Sequence, residues 1–204
     1  MAFYRRFQKK HLIAAHKGFK YQENTIPAFL YAKSRCDFIE FDVRECKDEI
    51  VVFHDKDLKR LFNKNELIKN LPYKRLKKYF IPSLKEVLEV LDDFPVNVEI
   101  KPRNHDKQMF LKKLTEILKY KQNLIVSSFD FEYLKNLPFN KAILLDKNIP
   151  LPDDFEYEAI HFSKETNLPK TSKTLGVFTI NKNDEMDKFC KSGVRVIFTD
   201  NWKL

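Results

Sequence analysis

Short apolar runs with strand character recur along this chain, and segments with helical spacing separate most of them. The runs are "HLIAA" (11–15), "FIEFDV" (38–43), "VNVEIK" (96–101), "NLIVSS" (123–128), "KAILL" (141–145), "EAIHFS" (158–163), "LGVFTI" (175–180) and "VRVIFTD" (194–200). Most are rich in β-branched or aromatic residues, and short apolar runs of this kind suit strands buried on both faces. Among the helical segments, "SLKEVLEVLDD" places Leu84, Val87, Leu88 and Leu91 on one face, and "DEMDKFCKSG" closes on Gly193. "ENTIPAFLYAKSR" opens with Asn24 or Thr25 as N-cap and Pro27 in the first turn, while "KQMFLKKLTEILKY" and "DFEYLKNL" complete the set.

Eight strands alternating with helices point to a parallel α/β sheet closed as a (β/α)8 TIM barrel. A doubly wound open sheet is the alternative, but no Gly-rich phosphate loop follows the first strand. The 204 residues fall short of the roughly 250 usual for a barrel, so some helices are expected to be short. The last run is followed only by "NWKL", so the final helix is expected to be missing or truncated, with the N-terminal "FYRRF" over that bottom edge. "EIVVFHD" after the turn-like "RECKD" reads as a hairpin-like extension of the second strand and the start of a small insertion. With 43% hydrophobic residues, 19 of them Phe, and no linker or repeat, residues 1–204 are expected to form a single domain.

The second strand contains a conflict. Phe38, Ile39, Phe41 and Val43 call for burial, yet Glu40 and Asp42 sit among them on one face, roughly 7 Å apart. Two bare carboxylates there are costly unless a positive group lies between them. In a barrel the C-terminal strand ends form the active face. Those ends bring His16, Lys17 and Gly18 from strand one, His54 and Asp55 from the extension, and Glu99 and Lys101 from strand three. They also bring Ser127, Ser128 and Phe129 from strand four, and Thr199 and Asp200 from the last strand. Oxygen ligands from Glu40, Asp42 and Glu99 suit a hard divalent cation, Mg²⁺ or Ca²⁺. A salt-bridge cluster with Lys17 and Lys101 is the competing account. His16 and His54 beside the cluster suggest a paired acid and base, and the lysines a grip on an anionic group such as phosphate. Together these groups read as phosphodiester cleavage. His105 and His161 read as surface or satisfied polar residues.

Charge and cysteines bound the rest. The net charge of +9 suits a phosphorylated small molecule, an anionic membrane or nucleic acid. Nucleic-acid binding calls for a basic stripe interleaved with aromatics, for which "KYKQ" and "YKRLKKYF" are the only hints, so no nucleic-acid partner is expected. No run approaches the ~20 apolar residues of a membrane span, and "LIAA" is too short for a signal-peptide core. Three cysteines, an odd number without metal-like spacing, argue against a disulfide framework and for a reducing cytoplasm.

The segments "AHKGFKYQENTIPAF", "DFIEFDVRECKDEIVVFHDKDLKR", "IPSLKEVL", "VNVEIK", "VSSF", "VFTIN" and "GVRVIFTD", in this order, resemble the signatures of glycerophosphodiester phosphodiesterases. That family is similar in fold to phosphatidylinositol-specific phospholipases C. The resemblance implies a TIM barrel with a divalent metal on Glu40, Asp42 and Glu99, His16 and His54 as acid and base, and Lys101 as a phosphate contact, joined by Lys17. Glu23, Phe129 and Phe178 are substrate-pocket candidates. The implied reaction releases glycerol 3-phosphate and an alcohol, through a cyclic phosphate or by direct attack of water. Departures are "HKG" for the usual "HRG", "QENT" for "PENT", and Phe178 for a common Trp. Lysine keeps the charge of the arginine but loses its planar fork. The short insertion leaves the alcohol side open. Two alternatives stand beside this reading. One is a lysophospholipid phosphodiesterase with peripheral membrane contact through the aromatic N-terminus. The other is a catalytically silent basic protein, against which the intact His16, His54 and three carboxylates argue.

Overall fold

The computed structural model describes residues 2–19, 22–102, 106–201 and 203. Nine strands form one sheet: β1 (Leu12–His16), β2 (Phe38–Glu45), β3 (Ile50–Val52), β4 (Val96–Ile100), β5 (Leu124–Ser128), β6 (Asn140–Leu145), β7 (Ala159–Ser163), β8 (Thr174–Phe178) and β9 (Val196–Thr199). All but β3 pair in parallel, in the order β1-β2-β4-β5-β6-β7-β8-β9, and β9 returns to β1. The sheet is therefore a closed (β/α)8 barrel. β3 folds back antiparallel on the end of β2, with Val43 opposite Val52, which is the hairpin extension the sequence indicated.

The helices are α1 (Ile26–Ala32), α2 (Lys59–Phe62), α3 (Tyr73–Leu76), α4 (Leu84–Leu91), α5 (Lys107–Leu118) and α6 (Asn183–Lys191). Their ends are set by local chemistry. Thr25 caps α1, Ser83 and Glu86 form a reciprocal capping box on α4, and Asp106 caps α5. "DFEYLKNL" departs from the helix its sequence suggested. It makes only a single 3-10 turn, Phe131–Tyr133, begun by Asp130 accepting from the Glu132 N–H. Ile149, Leu151, Phe155 and Tyr157, from the segment between β6 and β7, pack half-buried against the outer core.

Alternation along the strands sorts side chains into two cores. Ile39, Phe41 and Val43 face outward with Val96, Val98 and Ile100 and pack under the helices. Phe38 faces inward and fills the barrel bottom with Ala14, Ile125, Val196 and Phe198. The N-terminal 3-10 turn plugs that bottom, as the sequence suggested. Phe3 and Tyr4 are buried, their N–H groups donate to the Glu158 carboxylate at 2.7 and 2.6 Å, and the Phe3 ring meets Phe38 edge-on at 5.4 Å. Residues between β3 and α4 form a small cap with its own core of Phe53, Leu58, Ile68, Leu71, Leu76 and Ile81.

Candidate active site

The register of the barrel strands decides which side chains meet. His16 on β1 lies level with Glu40 on β2, and Asp42 lies level with Glu99 on β4. Phe38 fixes this face as interior, so Glu40 and Asp42 follow it inward toward the mouth. Both are buried, as is Glu99. One carboxylate oxygen from each of the three lies within 4.8 Å of the others. Lys101, just past β4, reaches into the same volume, 2.9 Å from Asp42 Oδ1 and in contact with Glu99 Oε1.

Three carboxylates against one ammonium leave two negative charges, the charge of one divalent cation. Glu40 shows the imbalance most plainly. Its Oε2 accepts the Lys17 N–H at 3.0 Å, but Oε1 is buried without a hydrogen-bond partner among the described residues. Burial, and then the charge of Asp42, hold the Glu40 pKa well above the ordinary glutamate value. Burial also raises Glu99, assisted by Asp42 and opposed by Lys101. Burial alone would raise Asp42 too, yet Lys101 beside it, with help from His54, Lys17 and the Asn24 hydrogen bond, brings it below the ordinary range. An all-oxygen donor set with an orphaned buried carboxylate oxygen fits a hard cation.

The two histidines flank this cluster and are held alike. His16 Nδ1 pairs with Asp200 Oδ1 at 2.8 Å, and His54 Nδ1 pairs with Asp55 Oδ1 at 2.7 Å. A carboxylate on Nδ1 fixes that nitrogen as the donor and leaves Nε2 as the nitrogen able to accept a proton. His16 Nε2 stands 3.9 Å from Glu40 Oε2. Burial would lower the His16 pKa, but the Asp200 hydrogen bond and the charge of Glu40 outweigh it and raise it. His54 is lowered, by burial first, to which Lys101 and Lys17 add against the opposing pull of Asp42 and the Asp55 hydrogen bond.

The loop after β1 is tightly turned. Lys17, Gly18 and Phe19 all have positive φ, and a Cβ on Gly18 would meet the Phe29 ring at 2.6 Å. Only glycine allows α1 to approach this closely. The turn carries Lys17 to the rim of a cavity of about 190 Å³, also lined by His16, His54, Glu40, Glu99 and Lys101. Phe129 and Phe178 meet edge-on at 6.0 Å and form its aromatic wall. The structure thus gathers every sequence candidate but one into a single cavity or its immediate surroundings. Glu23 is the exception. Its carboxylate is taken by the Arg60 guanidinium, which also donates to Asp55 Oδ2 at 2.6 Å, and it lines a neighbouring groove.

Other residues acquire partners that the sequence did not give them. Asn24, considered as a helix cap, instead donates to Asp42 Oδ2 at 2.8 Å and accepts the Asp42 N–H. Asp55 and Asp200 orient the histidines, and Asn181 in turn donates to Asp200. His161 is fully buried in the cavity wall rather than at the surface, with the Tyr4 hydroxyl 2.6 Å from Nε2. His105 lies outside the described residues.

The groove beside Glu23 is larger, about 870 Å³, and runs between α1 and the cap. Phe53, Phe62, Tyr79, Phe80 and Ile81 give it an apolar lining. Among the described residues no helix is long and apolar enough to cross a membrane.

Residues 16–144 match the Glycerophosphoryl diester phosphodiesterase family. The chain is 29% identical to a glycerophosphodiester phosphodiesterase of Caldanaerobacter subterraneus, over 94% of this chain and 95% of that protein. It is 35% identical to human lysophospholipase D GDPD1 over 56% of this chain, a match that spans only 42% of the human protein. A glycerophosphodiester phosphodiesterase structure from Thermotoga maritima superposes with a TM-score of 0.78 at 26% identity, covering 97% of each chain. An Oleispira antarctica phosphodiesterase, solved with sn-glycerol-3-phosphate, has the same fold, with a TM-score of 0.84 at 22% identity over 100% of this chain and 97% of that one.

Proposed function

The chain belongs to the glycerophosphoryl diester phosphodiesterase family, and on that premise we propose that it hydrolyses glycerophosphodiesters to glycerol 3-phosphate and an alcohol with a divalent cation and a histidine pair. The observation that carries this reading is the meeting of Glu40, Asp42 and Glu99 in one buried volume between two carboxylate-oriented histidines.

Glu40, Asp42 and Glu99 would hold the cation, Mg²⁺ or Ca²⁺. When bound, it supplies Lewis-acid polarisation of a phosphoryl oxygen and acidifies a nearby hydroxyl. The protein's own groups do the rest. Lys17 and Lys101 face the cavity and offset the negative charge that builds on the phosphoryl oxygens. His16, whose Nε2 is the imidazole nitrogen nearest Glu40, takes the proton of the attacking hydroxyl as general base. His54 stands on the cap side, where its side chain is more exposed than that of His16. From there it protonates the departing alcohol. Asp200 and Asp55 keep both rings turned so that Nε2 faces the substrate. The raised His16 pKa owes part of its rise to the charge of Glu40, and a cation on that carboxylate offsets this part.

The apolar groove between α1 and the cap favours a second reading, hydrolysis of lysophospholipids, with the single acyl chain along Phe53, Phe62 and Tyr79. A substrate panel separates the two. Purified protein is incubated with glycerophosphocholine or lysophosphatidylcholine, and glycerol 3-phosphate and lysophosphatidic acid are measured. Release of glycerol 3-phosphate, lost on chelation and restored by Mg²⁺ or Ca²⁺, is the expected result. Faster turnover of the lysolipid moves the assignment to the second reading. Activity that survives exhaustive chelation contradicts the cation.

A further inference from the structure

The cap concentrates the charge of the whole molecule. Residues 56–80 contain nine lysines and arginines against two acids, so most of the chain's net charge of +9 sits in this one insertion. All nine basic side chains are exposed. Some are neutralised: Arg60 by Glu23 and Asp55, Arg75 by Glu66, and Lys77 by Glu86. Lys74 and Lys78 have no acidic partner among the described residues. With Arg75, they line one shallow depression whose wall includes Tyr79. Tyr79 also lines the apolar groove, so the basic depression and the groove share a wall.

Apolar groups stand out beside these charges. Phe80 is 84% exposed and Leu61 is 42% exposed, both on the groove. Neither belongs to the cap's own core, which is completed by Phe62, Tyr73 and Tyr79. Phe80 sits in the left-handed region, at φ 59°, where a bulky residue is uncommon and costs conformational energy. A short peptide that spends strain to present a phenylalanine to water, amid unpaired lysines, needs a reason outside the fold.

We infer that this face of the cap docks the enzyme on an anionic lipid surface, with Lys74 and Lys78 against the headgroups and Phe80 and Leu61 inserted at the acyl boundary. Basic residues beside exposed Phe and Leu are the composition that holds amphipathic segments at a membrane interface. Nucleic acid, the other polyanion, is disfavoured by Leu61, since an aliphatic side chain offers a base no face on which to stack. Docking in this pose would set the groove opening against the bilayer. The inference holds for either substrate reading, because it concerns the cap and not the catalytic cavity.

Vesicle co-sedimentation tests it with the protein as it stands. The probes are phosphatidylcholine vesicles, the same vesicles with about 30% phosphatidylglycerol, and duplex DNA at matched salt. The expected result is at least about 10-fold tighter binding to the anionic vesicles, lost as salt shortens the screening length. Lys74→Glu with Lys78→Glu should weaken that binding about 10-fold. Phe80→Ser should weaken it too, through the apolar half of the contact. Both variants should melt like the parent, because none of these side chains packs in the cap core. Anionic vesicles bound no better than neutral ones, or vesicle binding unchanged in either variant, would overturn the inference. Tighter retention of DNA than of anionic vesicles, lost in the lysine variant, would reassign the face to nucleic acid.

Discussion

The two ends of one barrel are built on opposite terms. At the bottom, Phe38, Phe3, Tyr4 and Phe198 meet edge-on, with ring centroids 5.0 to 6.1 Å apart, and the polar backbone of the N-terminal turn is satisfied by Glu158. At the mouth, the same inward face of β2 carries Glu40 and Asp42, and a Glu40 oxygen is buried without a hydrogen-bond partner among the described residues. Two residues along a strand separate an interior packed with aromatic rings from one in which charge is left over. The lesson is that the bottom stabilises this fold while the mouth draws on that stability. The aromatic end offsets this buried imbalance of charge, and on the proposed reading a bound cation would correct it.

That division is open to attack from both ends. At the mouth, His16→Ala and His54→Ala should each lower turnover by about 100-fold or more while leaving the melting temperature close to that of the parent. Steady-state kinetics and thermal melts on the same preparations decide it. A variant that loses stability as much as activity would show that the mouth, too, holds the fold together.

At the bottom the outcome should reverse. Phe38→Ala removes a fully buried ring from the aromatic cluster and should cost about 3 to 5 kcal/mol of stability in denaturant unfolding. Where it is still folded, its turnover should stay near the parent value. A turnover defect as large as that of His16→Ala would mean that the two ends are coupled rather than divided.

His161 lies between the two ends and sharpens the contrast. Burial against Phe198 and Tyr4 pushes its pKa down to about 3 from an ordinary 6.5. Below about 6.5 the unfolded chain takes up a proton that the folded chain refuses until about 3, so stability is full above this window and falls as pH drops through it. The loss is at most about 1.4 kcal/mol per pH unit. His161→Gln retains a polar partner for Tyr4 and should flatten that part of the acid limb, read as the difference between parent and variant melts from pH 7 downward. A difference that does not vary with pH would show that His161 is not the group responsible.

The sequence made the strands legible because a parallel barrel buries both faces and writes each strand as an apolar run. Glu40, Asp42 and Glu99 stood out because they interrupt such runs. His16, His54 and Lys101 were legible as residues just beyond strand ends. What could not be read is what only closure creates. Asp200 meets His16 across 184 positions, because β9 returns to β1. Asn24 reaches Asp42 only through a left-handed turn that no local pattern announces. Glu23, a pocket candidate, lines a neighbouring groove and is held there by Arg60, since the fold of the cap decides where Arg60 points. The segment after β5 makes a single turn in spite of its apolar spacing.

The central claim is that the buried carboxylates at the mouth are there for a divalent cation, and Glu40→Gln tests it most directly. Glutamine keeps the shape and an acceptor for the Lys17 N–H while removing one of the mutually repelling charges. Thermal melts of parent and variant at neutral pH, with chelator and with Mg²⁺ or Ca²⁺, are the measurement. With chelator, the variant should melt above the parent, because its loss of charge relieves the cluster. With metal, the parent should rise by the linkage of binding to folding, and the variant by less. A variant that melts clearly below the parent in chelator, with the same gain from metal, would make Glu40 a structural ion-pair partner and would contradict the account.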